Sequence, residues 1–232
     1  MRRNVPDVAG TPRRSNETVR RAGEAGQDLR RPARWIREAE AEILKDTEKI
    51  IGAGDPAKRR AHDFYPTPPD VTVALLDLIR PILHPNSTIW EPACGEGDMQ
   101  NAITDRGFTV IGTDIQNGFN FLTMEPPFDY DWIITNPPFT SSEAFIRRAY
   151  DTGKPFCMLL KSQYWHSSRR FSLFRECVPD IVAPLTWRPD FLFKEEGKHG
   201  SPLMDVMWCV WLPSLCSFGD TQFIPLERPV RA

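Results

Sequence analysis

Asn136-Pro137-Pro138-Phe139 follows directly on Asp131-Trp132-Ile133-Ile134-Thr135, an apolar run rich in β-formers. No other feature restricts the fold of this chain as much. The run reads as a buried strand, and the polar turn at its carboxyl end sits where open α/β sheets place their chemistry. Two successive prolines fix two φ angles and remove two backbone donors. What remains is a stiff turn of acceptors, the Asn136 side-chain oxygen and the neighbouring carbonyls, with the Phe139 ring beside them. Such a turn suits a planar molecule with an exocyclic amine, its hydrogens held by the acceptors and its ring stacked on Phe139. The plainer reading is an ordinary Pro-containing loop with Phe139 in the core.

Upstream, Ser87–Glu91 reads as a short strand running into Pro92-Ala93-Cys94-Gly95-Glu96-Gly97. A helix over Asp98–Arg106, closed by Gly107, follows. Glycines there let backbone approach a ligand, and the helix start adds donors. Phe108–Asp114 reads as the next strand. It ends in an acid 17 positions after Gly97, near the roughly 20-residue offset of a ribose-binding carboxylate. The third glycine of the dinucleotide fingerprint and any Gly-Lys-Ser/Thr phosphate loop are missing. The pattern therefore favours a cofactor with a ribose but no pyrophosphate, of which S-adenosylmethionine is one.

Three stretches together resemble the small phage-type DNA N6-adenine amino-methyltransferases, within the class I S-adenosylmethionine-dependent methyltransferases. They are Asp63-Phe64-Tyr65-Pro66-Thr67-Pro68-Pro69, Glu91-Pro92-Ala93-Cys94-Gly95-Glu96-Gly97 and Asn136-Pro137-Pro138-Phe139, in the family's order. The resemblance implies an α/β, Rossmann-like fold: a mostly parallel twisted sheet with one antiparallel strand and helices on both faces. It implies that Tyr65 and Thr67 hold the methionine carboxylate of the cofactor and that Glu91 faces its amino group. Ala93, Gly95 and Gly97 would form the loop beneath, Asp114 would bind the ribose hydroxyls, and Ile115 would lie against the adenine. Asn120-Phe121 stands where the family has an acid followed by an aromatic; the amide oxygen of Asn120 keeps an acceptor there. Asn136, Pro137, Pro138 and Phe139 become the catalytic turn. The implied reaction is methyl transfer to the N6 amino group of adenine in DNA. The motif also serves cytosine N4, RNA bases and protein glutamine amides, and a non-catalytic nucleic-acid-binding module on the same fold is a further alternative. An asparagine start with a terminal Phe leans towards adenine.

Each of these residues has a plainer role. Glu91 could cap a turn, Asp114 could merely end a strand, and Phe121 could be core. Cys94 invites a nucleophile reading, but direct methyl transfer needs no covalent intermediate.

Beyond the turn, Ser141–Tyr150 reads as a helix capped by Ser141 or Ser142, and Phe156–Leu160 as a strand. Lys161, Tyr164, Trp165, Arg169 and Arg170 then mix aromatic and basic side chains just past a strand end, which suits nucleic acid. A polar loop leading into a helix over Arg169–Cys177 is the alternative. Arg188, a further candidate for nucleic acid, opens a loop that carries Lys194, Lys198 and His199, and Asp205–Leu212 reads as the last strand.

Charge divides the chain. Residues 1–60 hold 15 Lys+Arg and 10 Asp+Glu, a net of +5, against a whole-chain net of −2. Large apolar residues are sparse before Trp35, and no aromatic precedes it, so residues 1–34 read as a disordered basic arm, either a phosphate contact or a solvated tail. Residues 35–61 read as an accessory helix (Trp35–Ile51) and linker, 62–215 as the catalytic domain and 216–232 as a tail. The five cysteines form no Cys-x-x-Cys pair and the four histidines are scattered, so no metal site is expected. Dispersed thiols suit a reducing cytoplasm, in a bacterium or phage-infected cell. No signal-peptide or membrane-spanning run is evident. DNA is the expected partner, and the protein is expected to be a monomer or weak dimer.

Overall fold

The computed structural model describes residues 65–194, 204–213 and 220–230. The expected basic arm, the Trp35–Ile51 helix, Asp63-Phe64, Lys198 and His199 lie outside these residues.

In chain order the described elements are α1 (Pro69–Ile79), β1 (Thr88–Glu91), α2 (Asp98–Asp105), β2 (Thr109–Gly112), β3 (Trp132–Thr135), α3 (Ser142–Asp151), β4 (Phe156–Lys161), α4 (Phe171–Glu176), β5 (Ile181–Pro184), β6 (Val206–Trp211) and β7 (Gln222–Phe223). The strands form one sheet in the order β2-β1-β3-β4-β6-β5-β7. β2, β1, β3 and β4 run parallel. β6 is antiparallel to both neighbours, and β5 pairs β7 in parallel. One strand is reversed, as expected. β5 and β7 were not anticipated.

Side-chain alternation explains why the strands read as unbroken apolar runs. Ile89, Trp132, Ile134, Cys157, Leu159, Trp208 and Val210 share one face with Val71, Leu75 and Ile79 of α1 and Met99 and Ile103 of α2. Trp90, Ile133, Phe156, Met158, Leu160, Cys209 and Trp211 form the other face with Phe145 and Ile146 of α3 and Leu173 of α4. Both faces are covered, so polar alternation would bury unpaired groups. The two indoles of β6 meet this requirement: Trp208 Nε1 donates to the Val71 carbonyl and Trp211 Nε1 to that of Cys177, both at 3.0 Å.

α1 starts where Pro69 occupies its first turn, a position where the absent N–H costs nothing. It thereby ends the Tyr65-Pro66-Thr67 segment. The chain leaves β1 for β2 on one side and returns to β3 on the other. The crevice at the carboxyl ends of β1 and β3 is the switch point where such sheets bind ligands.

Candidate active site

At the end of β1, Glu91 is 2% exposed. Burial raises its carboxyl well above the usual range, the nearby Asp98 and Asp114 raise it further, and the Gln100 backbone N–H opposes the shift. Its Oε2 has no hydrogen-bond partner. The loop beyond it turns through positive φ at Gly95 (51°) and Gly97 (85°). Asp114 holds this loop: its Oδ2 accepts from the Gly95 N–H and its Oδ1 from the Gln116 N–H, each at 2.9 Å. Asp114 is thus a tie between loop and strand end, and its carboxylate keeps further lone pairs for a ligand. Lys194 braces the outer side of the loop, with Nζ 2.9 Å from Glu96 and 2.7 Å from Asp98. Burial pushes the Cys94 thiol up to about 11, with Glu91 and Asp114 adding to the effect. It is protonated at neutral pH, which does not suit a nucleophile.

The next wall is apolar. Ile115 is 63% exposed on the rim. Phe121 is both core and wall: its ring lies 5.1 Å from Trp90 and 4.8 Å from Phe145. Asn120 Oδ1 already accepts from the Leu122 N–H at 3.0 Å, so the oxygen expected to meet a cofactor amine first shapes its own turn.

Across the cleft stands the Asn136 turn. Asn136 Nδ2 donates to the Tyr65 carbonyl at 3.3 Å and to Thr67 Oγ1 at 3.1 Å. A carbonyl only accepts, so these bonds fix which end of the amide is nitrogen. Asn136 Oδ1 is then buried with no partner. The Pro138 carbonyl is taken by the Ser141 N–H at 2.9 Å and, with that of Phe139, by the Ser142 hydroxyl. Ser142 therefore ties α3 to the turn and provides no side-chain cap. The Pro137 carbonyl accepts from none of the described residues. The Phe139 ring lies 5.7 Å from that of Tyr65, and Lys161 Nζ sits 4.0 Å from its centroid.

Tyr65, Thr67, Glu91, Ala93, Asp114, Ile115, Asn120, Phe121, Asn136 and Pro138 line one cleft. Gly95, Gly97, Pro137 and Phe139 do not line it; they shape the turns that carry its lining. Asp98, Gln116, Phe119 and Phe145 also line it and were missed. Asp98 was legible as an acid in the first turn of α2, whereas Phe145 reads as ordinary helix core.

The expected nucleic-acid residues divide. Tyr164 is buried, and Arg170 lies over its ring at 4.0 Å while donating to its carbonyl at 3.0 Å. Trp165 packs on Phe174 at 4.3 Å and donates Nε1 to Met207 Sδ at 3.0 Å. These three anchor the segment to the face of the sheet that carries Phe145 and Leu173, so Tyr164 is corrected from a base-stacking to a core residue, while Trp165 is half-buried against that core. Arg169 is exposed, and Arg188 is exposed and paired with Asp205 at 3.0 Å. Phe171, 67% exposed, and the exposed Arg175 beside it were not anticipated. Among the described residues no three His, Cys, Asp or Glu side chains group to hold a metal, and no helix is long and apolar enough to cross a membrane.

No family model and no curated protein sequence matches the chain. Solved structures do. A putative class I S-adenosylmethionine-dependent methyltransferase from Listeria monocytogenes superposes with a TM-score of 0.50 at 12% identity, over 82% of this chain and 73% of that one. The chain has the class I methyltransferase fold. At that identity the likeness shows the fold alone. A modification subunit of a putative type I restriction enzyme from Vibrio vulnificus matches with a TM-score of 0.45 at 12% identity, over 83% of this chain and 51% of that one. This chain spans about half the subunit's length. A putative RNA methyltransferase from Pyrococcus horikoshii gives 0.43 at 14% identity, over 74% and 96%.

Proposed function

We propose that this protein transfers a methyl group from S-adenosylmethionine to the exocyclic N6 amino group of adenine in DNA. The observation that carries this reading is the Asn136 amide. Its nitrogen is held by Tyr65 and Thr67, and its buried Oδ1 is left without a donor. Leaving such an oxygen unpaired costs about 1–3 kcal/mol unless a ligand supplies the hydrogen. The Pro137 carbonyl, also without a donor among the described residues, is a second acceptor in the same rigid turn. Two acceptors suit the two hydrogens of an amino group.

The cofactor reading rests on a second unpaired atom. Glu91 Oε2, buried beside two other acids, calls for a cation, and the ammonium of a methionine moiety fits. Thr67 Oγ1 accepts from Asn136 and retains its own hydrogen to donate to a carboxylate. Asp114 would accept from ribose hydroxyls, and the exposed Ile115 would find an apolar partner in an adenine. When bound, the cofactor supplies an electrophilic methyl on a sulfonium.

An aromatic amine is a poor nucleophile because its lone pair is delocalised into the ring. By accepting its hydrogens, Asn136 Oδ1 and the Pro137 carbonyl favour a more tetrahedral nitrogen and stabilise the positive charge that develops there. A base within a duplex cannot reach this turn and must be extruded or presented single-stranded. Adenine is chosen on the Asn-Pro-Pro-Phe resemblance. DNA is favoured by the basic N-terminal sequence and by the exposed Arg169, Phe171 and Arg175 beyond β4.

Incubating the protein with labelled S-adenosylmethionine and DNA, RNA or protein tests the proposal. Digested DNA should yield N6-methyladenine. Label in N4-methylcytosine, RNA or protein glutamine instead would replace the substrate assignment, and no incorporation with no cofactor binding at millimolar concentration would end it.

A further inference from the structure

We propose that Lys161 binds the phosphate of the target nucleotide, and that without substrate it rests on the Phe139 ring it later yields to the base. The inference builds on the reading above and names a residue that would make the site prefer a nucleotide-borne amine over an uncharged one.

Lys161 is the last residue of β4. β3 pairs Thr135 with Met158 of β4, so β4 runs three residues past the end of β3 and its final side chain reaches the turn carried by β3. There the ammonium of this half-buried residue lies 4.0 Å from the Phe139 centroid. Other cations have better partners: Arg188 has Asp205, Lys194 has Glu96 and Asp98, and Arg170 has the Tyr164 carbonyl. Among the described residues Lys161 forms no ion pair. An aromatic face is a weaker partner for an ammonium than an anionic oxygen.

Two unmet requirements therefore meet at one turn, one within it and one against its ring. Asn136 Oδ1 lacks a donor, and Lys161 lacks an anion. A ligand that meets both carries an amino group on a planar ring and an anion a short distance away, as a nucleotide does. A protein glutamine offers the amide without ring or anion. The ring face that Lys161 covers is also surface a base would stack on, so moving the ammonium to a phosphate frees that face in the same step.

Lys161→Met keeps most of the apolar stem and removes the charge; Lys161→Arg restores charge. The reading is the ratio of kcat/KM on a short single-stranded adenine oligonucleotide to that on deoxyadenosine, together with oligonucleotide affinity against salt. The ratio should fall about tenfold in Lys161→Met, chiefly through KM, and the salt slope of binding should drop by about one, with Lys161→Arg recovering most of both. Equal losses on both substrates would mean that Lys161 only supports the ring, and an unchanged ratio and slope would mean it meets no phosphate; either overturns the inference. The melting temperature and cofactor affinity of Lys161→Met show whether the variant is folded. If wild-type protein methylates no nucleic acid, the function reading itself fails. If it does and Lys161→Met behaves like wild type, only the present inference fails.

Discussion

Asn136 uses both ends of its side chain, one to fasten the Tyr65-Pro66-Thr67 segment and one to present an acceptor. Asn136→Ala removes both. Turnover should fall by about 10²-fold or more, the scale of losing one preorganised polar group. Because Thr67 also loses its amide partner, cofactor affinity should weaken by up to about 1 kcal/mol. Single-turnover methylation with cofactor calorimetry separates the two, and full methylation by the variant would refute the acceptor role. Glu91 leads to a different expectation. Its folded carboxyl titrates above its unfolded value, so the fold favours the protonated form. The stability it contributes is fully present below the ordinary carboxylate range and is lost as pH rises through the raised folded value. Glu91→Gln removes that dependence. At neutral pH its ligand-free melting temperature should exceed wild type by about 2–4 °C for each kcal/mol recovered, while cofactor affinity drops about 10–100-fold through loss of the charge facing the ammonium. A variant both less stable and unchanged in affinity would show that Glu91 is only structural. Much of this site was legible because polar residues at strand ends have no apolar periodicity to serve. Tyr164 was misread for the opposite reason. Aromatics alternating with basics look alike on a nucleic-acid surface and in a segment folded back on a core, and only the contacts with Phe174, Met207 and Arg170 distinguish the two.

Among the elements, those the sequence declares are the ones whose apolar run suffices alone. β1, β3, β4 and β6 lie within the sheet and show in sequence as continuous Ile, Val, Leu, Met, Phe and Trp. β5 is four residues ending in Pro184, and β7 is two exposed residues. Their strand form comes from pairing β5 to β6 and β7 to β5, partners more than twenty residues away from β5 in sequence, so no local signal marks them. The start of α2 is a sharper case. Gly97 is its N-cap at φ 85°, a left-handed conformation that costs an L side chain about 1–2 kcal/mol. A Cβ there would also lie 3.3 Å from Gln100 Oε1. Gly97→Ala should therefore lower stability by about 1–2 kcal/mol in denaturant unfolding. It should also weaken cofactor binding, because the strain falls on the loop that Asp114 holds through Gly95. A variant with wild-type stability would mean that the loop can relax without its left-handed turn.

Taken as a whole, the molecule joins opposite charges. Residues 61–232 hold 14 Lys+Arg against 21 Asp+Glu, a net of −7, and residues 1–60 carry +5. An acidic body gives a polyanion little long-range attraction, although the proposed chemistry requires one to approach. Within residues 1–34 there are nine arginines and four acids, with too little apolar content to build a core. That segment is the natural source of attraction. The local cations beyond β4, Lys161 and Arg169 among them, would act only after contact, since a Debye length of about 8 Å at physiological salt limits their reach. Deleting residues 1–34 should leave melting temperature and cofactor affinity at wild-type values. Affinity for duplex DNA should fall, and its log–log salt slope should flatten by about 0.9 for each phosphate the arm neutralises. Turnover at saturating DNA should persist, because the Asn136 turn and the described lining of the cleft lie at residues 65 onward. Binding isotherms at several salt concentrations, with saturating kinetics in parallel, test the division. An unchanged slope would place the attraction on the body despite its net charge. Lost turnover at saturation would mean that the arm takes part in presenting the base.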